Sequence, residues 1–216
     1  MGVLLGDGCI TEKTLSRNVV KIAVNTNETE WTSIIRNVLK KTGTKTVTLD
    51  QGIGLSANLT SQSGGGAALM VRQSQLTPSY SFQKHIPLNY QNSNKEFLSG
   101  LLDGVFSTDG NVNLSSTHPS LRLKTTSKQL AQDVRRVLLC FGIHGRIATI
   151  KKVADGNING RAIVSRHQQY EVIISGAGMK TFAEQIGLSH SDKQKKLRKF
   201  GFPKYLSKPA KLLEYM

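Results

Sequence analysis

Two aspartates pose the first chemical question. Asp7 and Asp109 stand 102 residues apart (109 − 7) and each is followed by glycine. Each is preceded by an apolar, glycine-containing segment, Met1 to Gly6 and Leu102 to Thr108. From Lys95 to Thr108 the apolar positions 97, 98, 101, 102, 105 and 106 form one helical stripe. Gly100 and Gly104 lie four apart on an adjoining face, and Gly2 and Gly6 repeat that spacing. Glycine inside a helix costs roughly 1 kcal/mol relative to alanine, and close backbone approach between helices offsets it. Two such helices packed across a pseudo-two-fold axis bring Asp7 and Asp109 side by side at their C-terminal ends. Paired carboxylates resist joint ionisation unless a cation lies between them. A hard divalent cation with oxygen ligands, Mg²⁺ above all, meets that need, and beside a basic surface it suits phosphodiester hydrolysis. A lone Asp-Gly, as at 103 and 155, is ordinary turn chemistry; the matched pair carries the inference.

The elements that position these residues also repeat. In the first half, Ile10 to Thr14 and Val19 to Asn25 read as a hairpin. Asn27 reads as the N-cap of a helix from Glu28 to Lys41, with Trp31, Ile34, Ile35, Val38 and Leu39 inward and Gly43 ending it. Strands are expected at Lys45 to Leu49 and Ala67 to Gln73, with the Gly/Ser/Asn-rich stretch Gly52 to Gly66 as a loop. In the second half, Asn111 to Ser116 and Leu121 to Thr125 read as strands. Ser127 caps a helix through Cys140, with Leu130, Val134, Val137, Leu138 and Phe141 inward. Strands follow at Gly145 to Val153 and Gln169 to Ser175, joined by the turn Asp155-Gly156-Asn157. A helix at Met179 to Ile186 and a basic helix from Asp192 close the chain. The expected fold is α+β: two pseudo-symmetric αββαββα units, 1–94 and 95–216, forming a saddle of antiparallel strands with the two motif helices at its centre.

Composition narrows the partner. Of 216 residues, 29 are Lys or Arg and 14 Asp or Glu, a net charge of +15 that attracts polyanions. The halves carry 9 basic against 5 acidic residues and 20 against 9, so the second half should dominate phosphate contacts. No apolar run is long enough to span a bilayer, which argues against a membrane partner, and no targeting signal is seen, so an intracellular location with the host DNA is expected. Cys9 and Cys140, the only cysteines, exclude a disulfide framework and read as reduced structural thiols. The five histidines show no metal-binding spacing.

These segments resemble the paired motifs of the LAGLIDADG homing endonucleases in their single-chain, two-motif form. Leu102 to Gly110 covers nine motif positions and Met1 to Gly8 covers positions two to nine. The resemblance places the metal-binding acids on Asp7 and Asp109, with the carbonyls of Gly6 and Thr108 assisting. Leu5 and Ser107 replace the other acidic position, which the family varies. Lys84-His85-Ile86-Pro87 resembles the Lys-x-Ile-Pro of the intein-associated branch, and Ile186-Gly187-Leu188 with Asp192-Lys193-Gln194 resembles its closing segment. The resemblance makes Lys84 and Lys193 catalytic lysines beside the active-site solvent and phosphate, with Lys195 a rival for the second. Neither a starting Cys or Ser nor a terminal His-Asn is present, so an endonuclease module without self-splicing activity is expected.

On this reading the activity is metal-dependent hydrolysis of both strands of a long, asymmetric double-stranded DNA site, leaving short 3′ overhangs. The cofactor is Mg²⁺, with Mn²⁺ able to substitute and Ca²⁺ able to bind without cleavage, and the protein acts as a monomer. The alternative is a non-cleaving nucleic-acid binder on the same scaffold, an intron maturase or a DNA-binding regulator. Strand residues facing the major groove would read bases. The candidates are Arg17, Lys21, Lys45 and Arg72 in the first half, and Arg122, Lys124, Arg146, Lys151, Lys152, Arg161 and Arg166 in the second.

Overall fold

A computed structural model describes residues 1–12, 18–44, 46–61, 80–114, 118–150, 154–158, 161–164 and 167–199. The first unit opens with helix α1 (Gly2–Leu5) and hairpin β1 (Gly8–Glu12) and β2 (Asn18–Asn25). Helix α2 (Thr29–Lys41), β3 (Val47–Gln51) and β4 (Ser56–Ser61) follow, and the antiparallel sheet runs β1-β2-β4-β3. A 3₁₀ turn (Ser81–Gln83) and short α3 (Leu88–Gln91) lead to the long helix α4 (Lys95–Asp109). The second unit continues with β5 (Gly110–Asn113), β6 (Ser120–Thr125), α5 (Lys128–Leu139) and β7 (Arg146–Ile150). Hairpin β8 (Ala154–Ile158) and β9 (Arg161–Val164), then β10 (Gln169–Ser175), α6 (Ala177–Gln185) and α7 (Ser191–Arg198), complete it. Its sheet runs β5-β6-β10-β7, and β8-β9 stand apart as a two-stranded ribbon.

One apolar cluster joins both units. It contains Val3, Leu4 and Leu5 of α1, the α4 residues Leu98, Leu101, Leu102, Val105 and Phe106, and the inward strand residues of both sheets. Helix α5 buries Leu130, Val134, Val137 and Leu138 as its period requires, and Ser127 caps it by accepting from Leu130 N at 3.0 Å. Asn94 caps α4 in the same way, through Phe97 N at 2.9 Å. Gly43 and Gly142, at φ +81° and +71°, stop α2 and α5.

Four expectations need correction. Helix α2 begins at Thr29 with Glu28 at its N-cap, and no side chain caps it; Asn27 N is instead satisfied by Asn25 Oδ1 at 3.0 Å. The stretch expected as a loop from Gly52 contains β4, an inner strand of its sheet. Ladders to β2 and β3 on both sides, with Ala57 and Leu59 fully buried, override the weak strand preference of Ser and Asn. Asp155-Gly156-Asn157 lies within β8 rather than forming a turn, so the second unit carries an extra hairpin beyond αββαββα. Cys9 and Cys140 are free but exposed. The strand expected at Ala67 to Gln73 lies outside the described residues.

The motif helices do pack on each other, but through a different glycine pair from the expected stripe. A Cβ on Gly104 would stand 2.6 Å from Val3 N, and one on Gly2 would stand 2.2 Å from Leu101 O. A Cβ on Gly6 would strike the Thr108 side chain, whereas at Gly100 it would meet open space. The seam is therefore Gly2–Gly104 and Gly6–Thr108, each pair offset by the 102-residue repeat. Gly8 and Gly110 are equivalent as well. A side chain there would overlap Leu4 O and Phe106 O, so only glycine lets the chain pass directly from helix into strand.

Candidate active site and basic sheet faces

The helix seam fixes where the acids fall. Asp7 follows the last turn of α1, and its carbonyl accepts from Ala23 N of β2 at 3.0 Å. Asp109 ends α4. The two carboxyls lie within hydrogen-bonding reach of each other. Burial and the neighbouring Asp7 charge push Asp109 up to about 6, with Lys84 and Lys193 opposing. Burial raises Asp7 as well, again against the two lysines. Asp109 keeps exposed surface, while the packed surroundings and the second acid set the direction of its shift. The pair holds a proton more readily than isolated aspartates do.

Both lysines converge on this point. Lys84 Nζ donates to Gly6 O, and Lys193 Nζ donates to Thr108 O at 2.5 Å and Ser107 O at 2.8 Å. Gly6 and Thr108 are repeat equivalents, so each lysine grips the carbonyl just before one aspartate. Burial lowers both lysines, while Asp7 and Asp109 act in the opposite direction. Lys195, the rival, instead pairs with Asp192 at 3.2 Å on the exposed side of α7.

The donor set suits a hard divalent ion: two carboxylates of raised proton affinity and two backbone carbonyls. Among the described residues no group of three or more His, Cys, Asp or Glu could enclose a metal. A cation here would keep positions for water and phosphate oxygens, as Mg²⁺ commonly does. In this state the Gly6 and Thr108 carbonyls accept from the lysines.

Residues to which the sequence assigns no site role complete the surround; Asp103-Gly104, expected as turn chemistry, lies inside α4, where the apolar stripe on either side carries the helix through. Asp103, buried at 4% exposure, accepts from Ser189 and Ser107. His190 packs against the Trp31 ring and lies 3.4 Å from Glu28 Oε2, joining the two units beside Asp7. Helical spacing links Asp103 with Ser107, four apart, and Glu28 with Trp31, three apart, but nothing local links either pair to Ser189 and His190.

Register assigns the sheet faces. In the second sheet Leu121, Leu123, Val172 and Ile174 face the core, so Arg122, Lys124 and Arg146 share the outer face, with Ile173 opposite Arg122. Glu171 sits among them, and its Oε2 is 3.5 Å from Arg122 Nη1. In the first sheet Lys21 shares the outer face with Thr48, Thr60 and Asp50, and Thr60 Oγ1 donates to Asp50 Oδ2 at 2.5 Å. Arg17, Lys45, Arg72, Lys151, Lys152 and Arg166 lie outside the described residues, and Arg161 is placed by its backbone on β9.

Residues 84–187 match the model of the LAGLIDADG-like domain. The fold of the chain is that of single-chain LAGLIDADG homing endonucleases. I-DmoI in complex with DNA and Ca superposes with TM-score 0.59 at 18% identity, over 88% of this chain and 87% of that one. I-WcaI bound to its DNA recognition sequence gives 0.58 at 17%, over 89% and 82%. The N-terminal LAGLIDADG domain of WhiA gives 0.50 at 11%, over 87% and 78%. In sequence, the replicative DNA helicase DnaB of Synechocystis is 32% identical over 118 residues, 53% of this chain and 12% of that protein. RecA of Mycobacterium tuberculosis is 32% identical over 128 residues, 56% and 16%. The chain spans less than a fifth of the length of either relative. No described helix is long and apolar enough to cross a membrane.

Proposed function

We propose that this chain is a site-specific, metal-dependent endonuclease that hydrolyses both strands of double-stranded DNA, acting as a monomer. The observation that supports this most is the convergence of Asp7, Asp109, Lys84 and Lys193 at the end of the helix seam, between two sheets. Complexes of I-DmoI with DNA and Ca or Mn, and of an I-DmoI variant with its target DNA and Mg, have the same fold. WhiA's domain also has it, so the acid pair rather than the fold supports cleavage over the non-cleaving alternative.

In this reading Asp7 and Asp109, with the carbonyls of Gly6 and Thr108, hold a divalent cation that supplies Lewis acidity toward the phosphate. The ionised form of both acids is favoured by a bound cation, against the burial that raises them. Lys84 and Lys193, held at repeat-equivalent positions, orient water and neutralise charge developing on a phosphate. The approximate two-fold relation supports one lysine serving each strand. Arg122, Lys124 and Arg146 bind phosphates or base edges on the second half-site, and Lys21 with Thr48 and Thr60 contributes on the first. Short 3′ overhangs, a long asymmetric site and membership of the intein-associated branch belong to the same proposal; the branch rests on Lys84-His85-Ile86-Pro87. So does a boundary near Asn94, although residues 84–91 hydrogen-bond to α5 of the second unit.

The test is cleavage of a plasmid library carrying long randomised inserts, with Mg²⁺ and with EDTA, followed by sequencing of the ends. Metal-dependent ends at one recurring sequence are expected, and D7N and D109N should bind the recovered site without cutting it. Tight binding with no ends anywhere would overturn cleavage in favour of the non-cleaving reading.

A further inference from the structure

Each active-site lysine is carried by a segment outside the motif helices, and each segment is tied down by one buried carboxylate. Lys193 lies on α7. Ahead of it, Ser189 N donates to Asp103 Oδ1 at 2.6 Å and Ser189 Oγ to Asp103 Oδ2 at 2.5 Å. Ser107 Oγ donates to the same Oδ1 at 2.8 Å and accepts from His190 N at 3.2 Å. Asp103, with Ser107, thus bolts the 189–190 backbone to α4 about 1.7 turns before Asp109, and α7 starts from that anchor. Lys84 is held differently. Its carbonyl accepts from Ser127 Oγ at 2.5 Å, and Ile86 N donates to Asp133 Oδ2 at 3.0 Å. Gln91 Nε2 donates to Ile86 O at 2.6 Å. Asp133, 1% exposed, also accepts from Gln129 at 2.8 Å and from Arg136 at 3.3 Å.

We propose that Asp103 and Asp133 are separate positioning residues, Asp103 aiming Lys193 and Asp133 aiming Lys84, so that either lysine can be displaced without the other. A buried carboxylate suits the role because its charge-assisted hydrogen bonds to backbone N–H groups are strong and directional. Removing it leaves those N–H groups unsatisfied, which favours local opening of the segment. The consequence for cleavage rests on the endonuclease reading above; the consequence for lysine exposure does not.

Two readouts keep the two apart. The first is pulsed acetylation of the full chain with acetic anhydride, with each lysine read by peptide mass spectrometry. In D103A the Lys193 rate should rise roughly tenfold or more while Lys84 stays protected, the factor expected when charge-assisted hydrogen bonds holding a segment are lost. D133A should do the reverse. D103N and D133N keep one acceptor oxygen each and should lie between; they replace the alanine variants if those fail to fold, as judged by circular dichroism. A carboxylate that only stabilises the fold would expose both lysines together, and that outcome overturns the proposal, as does protection unchanged in both. The second readout uses a duplex bearing the recovered site, with a different dye on each strand. D103A should cut one strand about a hundredfold more slowly, the cost of misplacing a catalytic group by about 1 Å, and D133A the other. Equal slowing of both strands overturns the strand-by-strand consequence. If wild type cuts nothing, the endonuclease reading falls while acetylation still decides the positioning.

Discussion

Two alanine substitutions four residues apart on α4 should have unequal effects. At Gly100 an added Cβ meets nothing within 4 Å, so G100A recovers helix propensity worth roughly 1 kcal/mol. At Gly104 the same Cβ would stand 2.6 Å from Val3 N and 2.9 Å from Gly2 C and Gly2 Cα. These are backbone atoms that no rotamer change can move, so the helices must separate by roughly 1 Å to regain ordinary contact. Overpacking of this kind costs about 1–3 kcal/mol, against the same 1 kcal/mol of propensity. The propensity gain is common to both, so the two variants should differ by the overpacking cost alone, about 1–3 kcal/mol. For a chain of this size, about 2–4 °C per kcal/mol makes that a Tm gap of roughly 2–12 °C, with G100A above wild type and G104A the lower of the two variants. Thermal melts by circular dichroism, checked by urea midpoints at unchanged m, measure it. G104A as stable as G100A would refute the glycine seam. Since that seam sets the spacing of Asp7 and Asp109, G104A should also lose about a hundredfold in cleavage where it still folds.

Three further outcomes are expected. Asp109 is raised from 3.8 to about 6, so the folded state binds a proton that the unfolded state releases. Its contribution favours folding below about pH 6 and is lost as pH rises through that value. Without divalent ion, Tm of wild type minus Tm of D109N should thus increase from pH 7.5 to pH 5, and a difference independent of pH would contradict the assignment. Mg²⁺ should raise the Tm of wild type and not of the D7N/D109N double variant; at tenfold over its Kd the linkage is about 1.4 kcal/mol. K124A and R146A should each reduce the slope of log Kd against log salt by about one, measured by fluorescence anisotropy on the recovered duplex, whereas an unchanged slope would remove that residue from the phosphate contacts.

Much of the site was legible because its determinants are local or repeated. The Asp-Gly ends, the helical stripe of α4 and the caps Asn94 and Ser127 each depend on a few neighbouring residues. Lys84 and Lys193 were legible only through their flanking motifs, since nothing local distinguishes Lys193 from Lys195. Strand β4 was missed because its own residues favour a loop, and its status is conferred by β2 and β3 on either side. The hairpin β8-β9 was missed because Asp-Gly-Asn is a turn signal in isolation.

The amino-acid sequence by itself determined the repeat, the α+β class, the basic surplus and the two acids at matched positions, because periodicity and composition need no partner to be read. Tertiary structure decided which glycines touch, that Gly2 meets Gly104 while Gly100 meets nothing. It also decided which lysine reaches the acids, and that Asp103 and Asp133 hold the segments carrying Lys193 and Lys84. Those outcomes depend on contacts between residues tens of positions apart, created only when the helices and sheets pack around one core.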